Sequence, residues 1–291
     1  MDSIAELRAR VQLPVRKYND VAGLLIGDRV SIHVTRLFVQ LGWSPTIATV
    51  GMLVFGVVGS ALVPFGGYGS VAGFAFVFLY YICDCVDGEV ARYHDREKLI
   101  FGFHDFMFHL YVKSSFFVCL GILAVRTTGA SWTFCVPLAA LLGVLFQKFL
   151  HELPLILTAR YVLLRRDHER RHFIAQIMDG AGPGELEHDG ALPDDHKPCA
   201  FRGPLAFLRV ALTNFDLAVV LFLAAALADL FVAPFELAGL TFDLKIALVF
   251  FYGFVLPLDF VDQLASFIRA RRFQSESRRL LRSAHHFRVR D

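Results

Sequence analysis

Residues 37–83 read LFVQLGWSPTIATVGMLVFGVVGSALVPFGGYGSVAGFAFVFLYYIC, and this run contains no Asp, Glu, Lys or Arg. A bilayer core takes about 20 apolar residues per helical span, so the run is long enough for two. Pro64-Phe65-Gly66-Gly67-Tyr68-Gly69 interrupts it in the middle, as a tight turn would. Ser44 followed by Pro45 marks the start of the first helix, with Ser as N-cap and Pro in the first turn.

The same reading extends outward. Of 291 residues, 56% are hydrophobic, 19% are charged and 30 are Phe, with a mean hydropathy of +0.53. That composition excludes a disordered chain and is too apolar for a water-soluble domain. Further spans are expected near 104–125, 132–158, 206–232 and 244–266, beside those at 45–64 and 70–90. The fold class is therefore an all-α integral membrane protein with six transmembrane helices. No basic start followed by a short apolar stretch marks a cleavable signal peptide.

Arg and Lys set the expected orientation. They crowd before the first span, between spans two and three (Arg92, Arg96, Lys98), after span four and in the tail, whereas Arg126 stands alone in the opposite loops. The positive-inside rule then puts both termini in the cytoplasm of a multi-pass protein of the plasma membrane, the inner membrane in a bacterium. In 28–41, Val30, Val34, Leu37, Phe38 and Leu41 recur at helical spacing beside Arg29, His33 and Arg36, the pattern of an amphipathic helix lying in the headgroups. The expected organisation is a cytoplasmic arm and interfacial helix over 1–43, a six-helix membrane domain over 44–268 with a cytoplasmic loop at about 165–204, and a basic tail over 269–291 that meets membrane lipid.

A net charge of +2 gives no reason to expect a nucleic-acid partner. Five Cys, without Cys-x2-Cys spacing, argue against a disulfide scaffold, and His188, His196 and Cys199 fit no closed zinc pattern. Gly180, Gly182 and Gly184 follow no predicted strand and read as a flexible loop rather than a phosphate cradle.

The chemistry lies at the ends of spans two and three. In Cys83-Asp84-Cys85-Val86-Asp87-Gly88-Glu89-Val90-Ala91-Arg92, a turn of 100° per residue puts Asp84, Asp87, Gly88 and Ala91 on one face. Two carboxylates beside two near-absent side chains need cations or a wet cavity, and Arg92 at the edge offers a planar fork for phosphate. Asp105 and His109, four apart at the start of span three, share a face. Convergence of these helices would make a hard-oxygen set suited to Mg²⁺ or Mn²⁺. The plainer reading is that Asp84 and Asp87 only pair with Arg92 and Arg96. It leaves the Gly and Ala on the same face unexplained.

Asp84-x2-Asp87-Gly88-x2-Ala91-Arg92 resembles the first half of the signature of the CDP-alcohol phosphotransferases, D-x2-D-G-x2-A-R-x8-G-x3-D-x3-D. The resemblance takes in the spans, the interfacial helix and Ser44-Pro45-Thr46-x2-Thr49, over roughly 28–265. Asp105 keeps register, while Phe101 stands in the place of Gly and His109 in the place of the last Asp. The resemblance implies transfer of a phospho-alcohol group from a CDP-alcohol donor to the hydroxyl of a lipid or polar alcohol acceptor, with release of CMP, in phospholipid or related headgroup synthesis. It implies that Asp84, Asp87 and Asp105 hold Mg²⁺ or Mn²⁺, that Gly88, Ala91 and Arg92 receive the nucleotide, that His109 is the base, and that the protein is a homodimer. The alternative is a non-catalytic, cytidine-nucleotide-binding membrane protein of the same fold. A transporter is a third reading, but no repeated halves are visible. Lys148, His151 and Glu152 in span four are candidates for an acceptor pocket, with Asn214, Asp216, Asp259 and Asp262 as further intramembrane polar residues.

Overall fold

The computed structural model describes residues 2–16, 21–94, 99–164 and 204–269, with the side chains of 99–105, 151, 155, 159–164 and 204–207 outside that description. The loop expected at about 165–204 and most of the tail therefore lie outside the described residues.

The chain is mostly helical. Helix α1 (Ile4–Val11) is followed by a π-helical turn (Gly23–Gly27), α2 (Asp28–Leu41), α3 (Pro45–Leu62), α4 (Gly67–Tyr93), α5 (Leu99–Thr128) and α6 (Cys135–Leu164). Then come α7 (Pro204–Thr213), α8 (Phe215–Ala228), a hairpin of β1 (Phe235–Leu237) and β2 (Leu240–Phe242), and α9 (Leu244–Arg269). Five helical segments are long and apolar enough to cross a membrane: Pro45–Phe65, Gly67–Tyr93, Phe106–Thr128, Ser131–Leu150 and Leu244–Arg269. The protein is accordingly a multi-pass integral membrane protein. The expected span at 206–232 divides into α7 and α8. Asn214 takes an extended backbone and its side chain accepts a hydrogen bond from the Leu217 N–H at 2.8 Å, so it caps a new helix of 14 residues.

The chain forms two compact units, Met1–Leu141 with His196–Val255, and Leu142–Asp195 with Leu256–Asp291. In the first unit α3 and α4 meet backbone to backbone. A Cβ on Gly59 would lie 2.8 Å from both the Gly73 carbonyl and the Val77 N–H nitrogen. Lipid gives apolar side chains no reason to seek one another, so membrane helices associate through such small-residue contacts. Ala48, Met52, Gly56 and Gly59 of α3 are buried, while Val50, Val54 and Val58 are 42–52% exposed, on the face left to lipid. The turn to α4 uses Gly66 and Gly67 at φ 72° and 45°, values that favour glycine. Phe74, Phe116 and Phe222 then pin α4, α5 and α8 together, Phe74 and Phe222 stacked at 5.4 Å.

At the far end of α8 the hairpin turns on Ala238 and Gly239, both at positive φ. Buried Lys245 at the start of α9 is held by Asp229 at 3.0 Å and by Asp243. Those carboxylates also accept from the backbone N–H groups of Leu244 and Ile246, so the charges are satisfied as one cluster.

The amphipathic helix falls on the expected residues, 28–41, and its inward face is mixed, with Ile32 and Phe38 buried beside two hydroxyls while Arg29 and His33 stay exposed. Ser31 and Thr35 are buried, while Val30, Leu37 and Leu41 are 39–52% exposed. Helix α1 is capped at its start by Ser3 and Glu6, each side chain bonding the other's backbone N–H. The Ser3 backbone bond, with the Ser3 hydroxyl second, holds the Glu6 carboxyl below the usual carboxylate range. Leu7 and Val11 of this helix pack on Ile32 and Tyr93.

In the second unit, Phe146 stacks on Phe260 at 5.4 Å. Asp259 accepts from the side chains of Gln147 and Gln263, each at 2.7 Å.

Candidate functional site

The last three turns of α4 carry the site. Asp84 and Asp87 are one turn apart and both are partly buried. Asp84 meets α5: His109 Nε2 lies 3.0 Å from Asp84 Oδ1. The other ring nitrogen of His109, Nδ1, is engaged by the hydroxyl of Tyr80, which is fully buried on the preceding turn of α4. With Asp84 ionised, Nε2 carries the proton and Nδ1 accepts from the phenol, which fixes one tautomer. Asp87 meets α3 instead. The Thr49 hydroxyl reaches Asp87 Oδ2 and the Pro45 carbonyl, each at 3.1 Å. Three helices thus converge on Asp84 and Asp87.

Asp105 is placed by its helix one turn before His109, and its side chain lies outside the described residues. Among the described residues, no group of three His, Cys, Asp or Glu side chains is arranged to hold a metal ion. The chemistry of the described donors fits a hard cation only in part. Two carboxylates one turn apart each keep more lone pairs than one hydrogen bond uses. A third oxygen donor would have to come from Asp105.

Gly88 and Ala91 share the face of Asp84 and Asp87. The space over Gly88 is taken by Arg92, whose Nη1 would lie 3.2 Å from a Cβ there. Arg92 in turn donates from Nε to the Val11 carbonyl at 2.7 Å. Its fork is therefore oriented by the N-terminal helix, a contact that the sequence pattern did not indicate.

Asp84 and Arg92 open onto a cavity of about 340 Å³. Tyr81, Cys85 and Glu89 of α4 continue its wall, and Asp216 comes from the first turn of α8. Gln12, Val15, Gly23 and Asp28 of the N-terminal arm supply the remainder. The lining is polar and carries both signs of charge, as suits a charged, hydroxylated ligand rather than a lipid tail. The arm's share of this wall could not be read from the sequence.

Glu89 is 2% exposed and fully bonded. Its Oε1 accepts from Gln12 Nε2 at 2.8 Å and from the Ser31 hydroxyl at 2.5 Å, and its Oε2 from the Thr35 hydroxyl at 2.6 Å. The available signal was Ser31 and Thr35, two small hydroxyls four apart on one helix face. Lys113 of α5 lies 4.8 Å from the ring centroid of Phe215, a cation–π contact next to Asp216.

Lys148 and Glu152 are partly buried in α6, within the second unit, and the His151 side chain lies outside the described residues.

No protein-family model matches this chain, and no curated protein does either.

Proposed function

We propose that this protein is a CDP-alcohol phosphotransferase of the membrane, moving a phospho-alcohol group from a CDP-alcohol to an acceptor hydroxyl with release of CMP. The observation that carries the reading is the pairing of Asp84 with His109 and of Asp87 with Thr49. These pairings join α3, α4 and α5 through residues that the family pattern singles out. We further propose six spans, α7 and α8 together making the additional one, with both termini and the site facing the cytoplasm, where a soluble nucleotide donor or its leaving CMP would be handled. A homodimer is part of the same proposal.

In this reading Asp84, Asp87 and Asp105 would hold Mg²⁺ or Mn²⁺. When bound, the cation would neutralise the pyrophosphate and the charge developing on the leaving CMP. Thr49 fixes the rotamer of Asp87, and His109 fixes that of Asp84. Arg92, steadied by the Val11 carbonyl, would bind a phosphate oxygen. His109 would take the proton of the acceptor hydroxyl. Because Asp84 and Tyr80 engage its two nitrogens, the acceptor must displace one of those bonds first. The displaceable one is at Nε2, since Asp84 is 27% exposed and Tyr80 is fully buried, and the ring proton must then move to Nδ1, donating to the Tyr80 oxygen, so that Nε2 offers a lone pair.

The second reading, a nucleotide-binding protein without turnover, is favoured by that double engagement of His109. Purified protein given CDP-diacylglycerol with polar acceptors, or CDP-polar alcohols with diacylglycerol, separates the two. CMP release that requires both substrates supports the transferase. Cytidine-nucleotide binding without CMP release from any pair supports the second reading.

A further inference from the structure

The Glu89 carboxylate on α4 accepts three side-chain hydrogen bonds. Its partners come from two places: Gln12, just past the end of α1, and Ser31 and Thr35 on α2. Gln12 Nε2 also donates to the Asp28 carbonyl at 2.8 Å, so one amide ties the arm to both α2 and α4. Two more bonds reinforce the seam. Arg10 donates to the Tyr93 carbonyl at 2.8 Å while lying over the Tyr93 ring, and Arg92 donates to the Val11 carbonyl. The π-helical turn closes the same side. A Cβ on Gly27 would come within 3.1 Å of Cys85 Sγ and closer still to the Tyr81 hydroxyl. The arm is therefore seated on the site-bearing turns of α4, and Gln12 and Val15 face the cavity together with Asp84 and Arg92.

We infer that Glu89 is a positioning residue that locks the N-terminal arm onto α4, and that the arm is a wall of the substrate cavity rather than a membrane anchor alone. Naming the cavity's occupant as substrate rests on the transferase reading; the lock itself does not. A carboxylate buried at a helix end is costly unless both of its oxygens find donors. Three neutral donors drawn from the arm and α2 meet that need only when the arm is seated. Loss of any one of them leaves a part-satisfied network, so seating is cooperative.

Cys85, in the cavity wall and closely approached by Gly27, reports on the lock without any appeal to activity. The full chain with Cys83, Cys119, Cys135 and Cys199 changed to Ser keeps this single thiol. N-ethylmaleimide adds the sulfur across its double bond, and the thiol proton ends on the adjacent carbon. In the parent, labelling should be slow. Gln12→Ala and Glu89→Ala should speed it about tenfold or more, the effect of losing roughly 1.4 kcal/mol or more from a closed state. Glu89→Gln should stay near the parent rate, because its amide oxygen can accept from Gln12 and Ser31 while its NH2 donates to Thr35. Gln12→Ala, which removes an uncharged side chain and leaves no buried charge on the arm, keeps the test usable if Glu89→Ala does not fold, as judged by elution as a single species in detergent. Gln12→Ala labelled at the parent rate would overturn the lock. With turnover, Gln12→Ala should raise KM about tenfold with kcat within about threefold, and an unchanged KM would overturn the arm as a substrate wall. Complete absence of CMP release from the parent would refute the transferase reading while leaving the labelling result standing.

Discussion

His109 Nε2 lies 3.0 Å from Asp84 Oδ1, and this bond crosses from α5 to the helix that carries Asp87, Gly88 and Arg92. An imidazole on an adjacent helix therefore stands where the resembled pattern has a last carboxylate, and it is oriented by a carboxylate that the same pattern assigns to metal. His109→Ala should lower CMP release by about a hundredfold or more, the usual worth of a positioned base. His109→Asp should keep part of the activity, since a carboxylate can also accept the proton. Equal turnover in His109→Ala and the parent would reduce the imidazole to a cavity lining.

Tyr80 offers a sharper probe of the same ring. Tyr80→Phe removes one oxygen and leaves His109 Nδ1 without its buried partner. Loss of a buried hydrogen bond costs about 1–3 kcal/mol, so turnover should fall about tenfold or more. Because the phenol is fully buried, KM should hold while kcat falls. A rise in KM alone would mean that Tyr80 serves binding rather than ring orientation.

Much of this architecture could be read before the fold. The spans expected at 45–64 and 70–90 and the Gly-rich break between them correspond to α3, the turn and α4 to within a few residues at each end. The interfacial helix falls on 28–41, but periodicity tells which residues share a face, not which face turns inward. Here the buried Glu89 needs donors, so Ser31 and Thr35 turn inward with Ile32 and Phe38, while Val30, Leu37 and Leu41 turn out. Asp84, Asp87 and His109 were legible because charge in an apolar helix is costly and therefore conspicuous. Tyr80 was not, since one more aromatic residue in an apolar run carries no signal. The break at Asn214 leaves little trace in hydropathy, which averages over a single cap residue.

The Gly59–Gly73 contact predicts a stability effect that is independent of chemistry. Gly59→Val should drive α3 from α4, because even a Cβ meets backbone at 2.8 Å. Overpacking of this kind costs about 1–3 kcal/mol, and backbone cannot yield as a flexible side chain does. The thermal midpoint in detergent should drop by several degrees. Val54→Leu, on the exposed face of the same helix, should leave it unchanged.

Orientation can be tested at exposed positions of a Cys-free chain. Tyr68 is 80% exposed beside the α3–α4 turn, Ser131 is exposed between α5 and α6, and Arg29 is exposed on α2. A membrane-impermeant maleimide applied to intact cells should label Tyr68→Cys and Ser131→Cys but spare Arg29→Cys until the membrane is opened. The reverse pattern would place the site outside and remove it from a cytoplasmic supply of CDP-alcohol.

The metal proposal turns on Asp87, whose Oδ2 is already held by Thr49. Asp87→Asn keeps volume and can keep the Thr49 bond, so insertion and folding should survive while ligand charge is lost. CMP release should then fall by at least about a hundredfold, the scale seen when a group stabilising transition-state charge is removed. Thr49→Val keeps the charge and shape but frees the Asp87 rotamer, and its loss should be smaller, about tenfold. Excess chelator should abolish release by the parent, and added Mg²⁺ or Mn²⁺ should restore it. Raising the metal concentration should recover Thr49→Val, whose ligand charge is intact, and should not recover Asp87→Asn. Full turnover by the parent in excess chelator would end the metal assignment, and equal recovery of both variants would separate Asp87 from it.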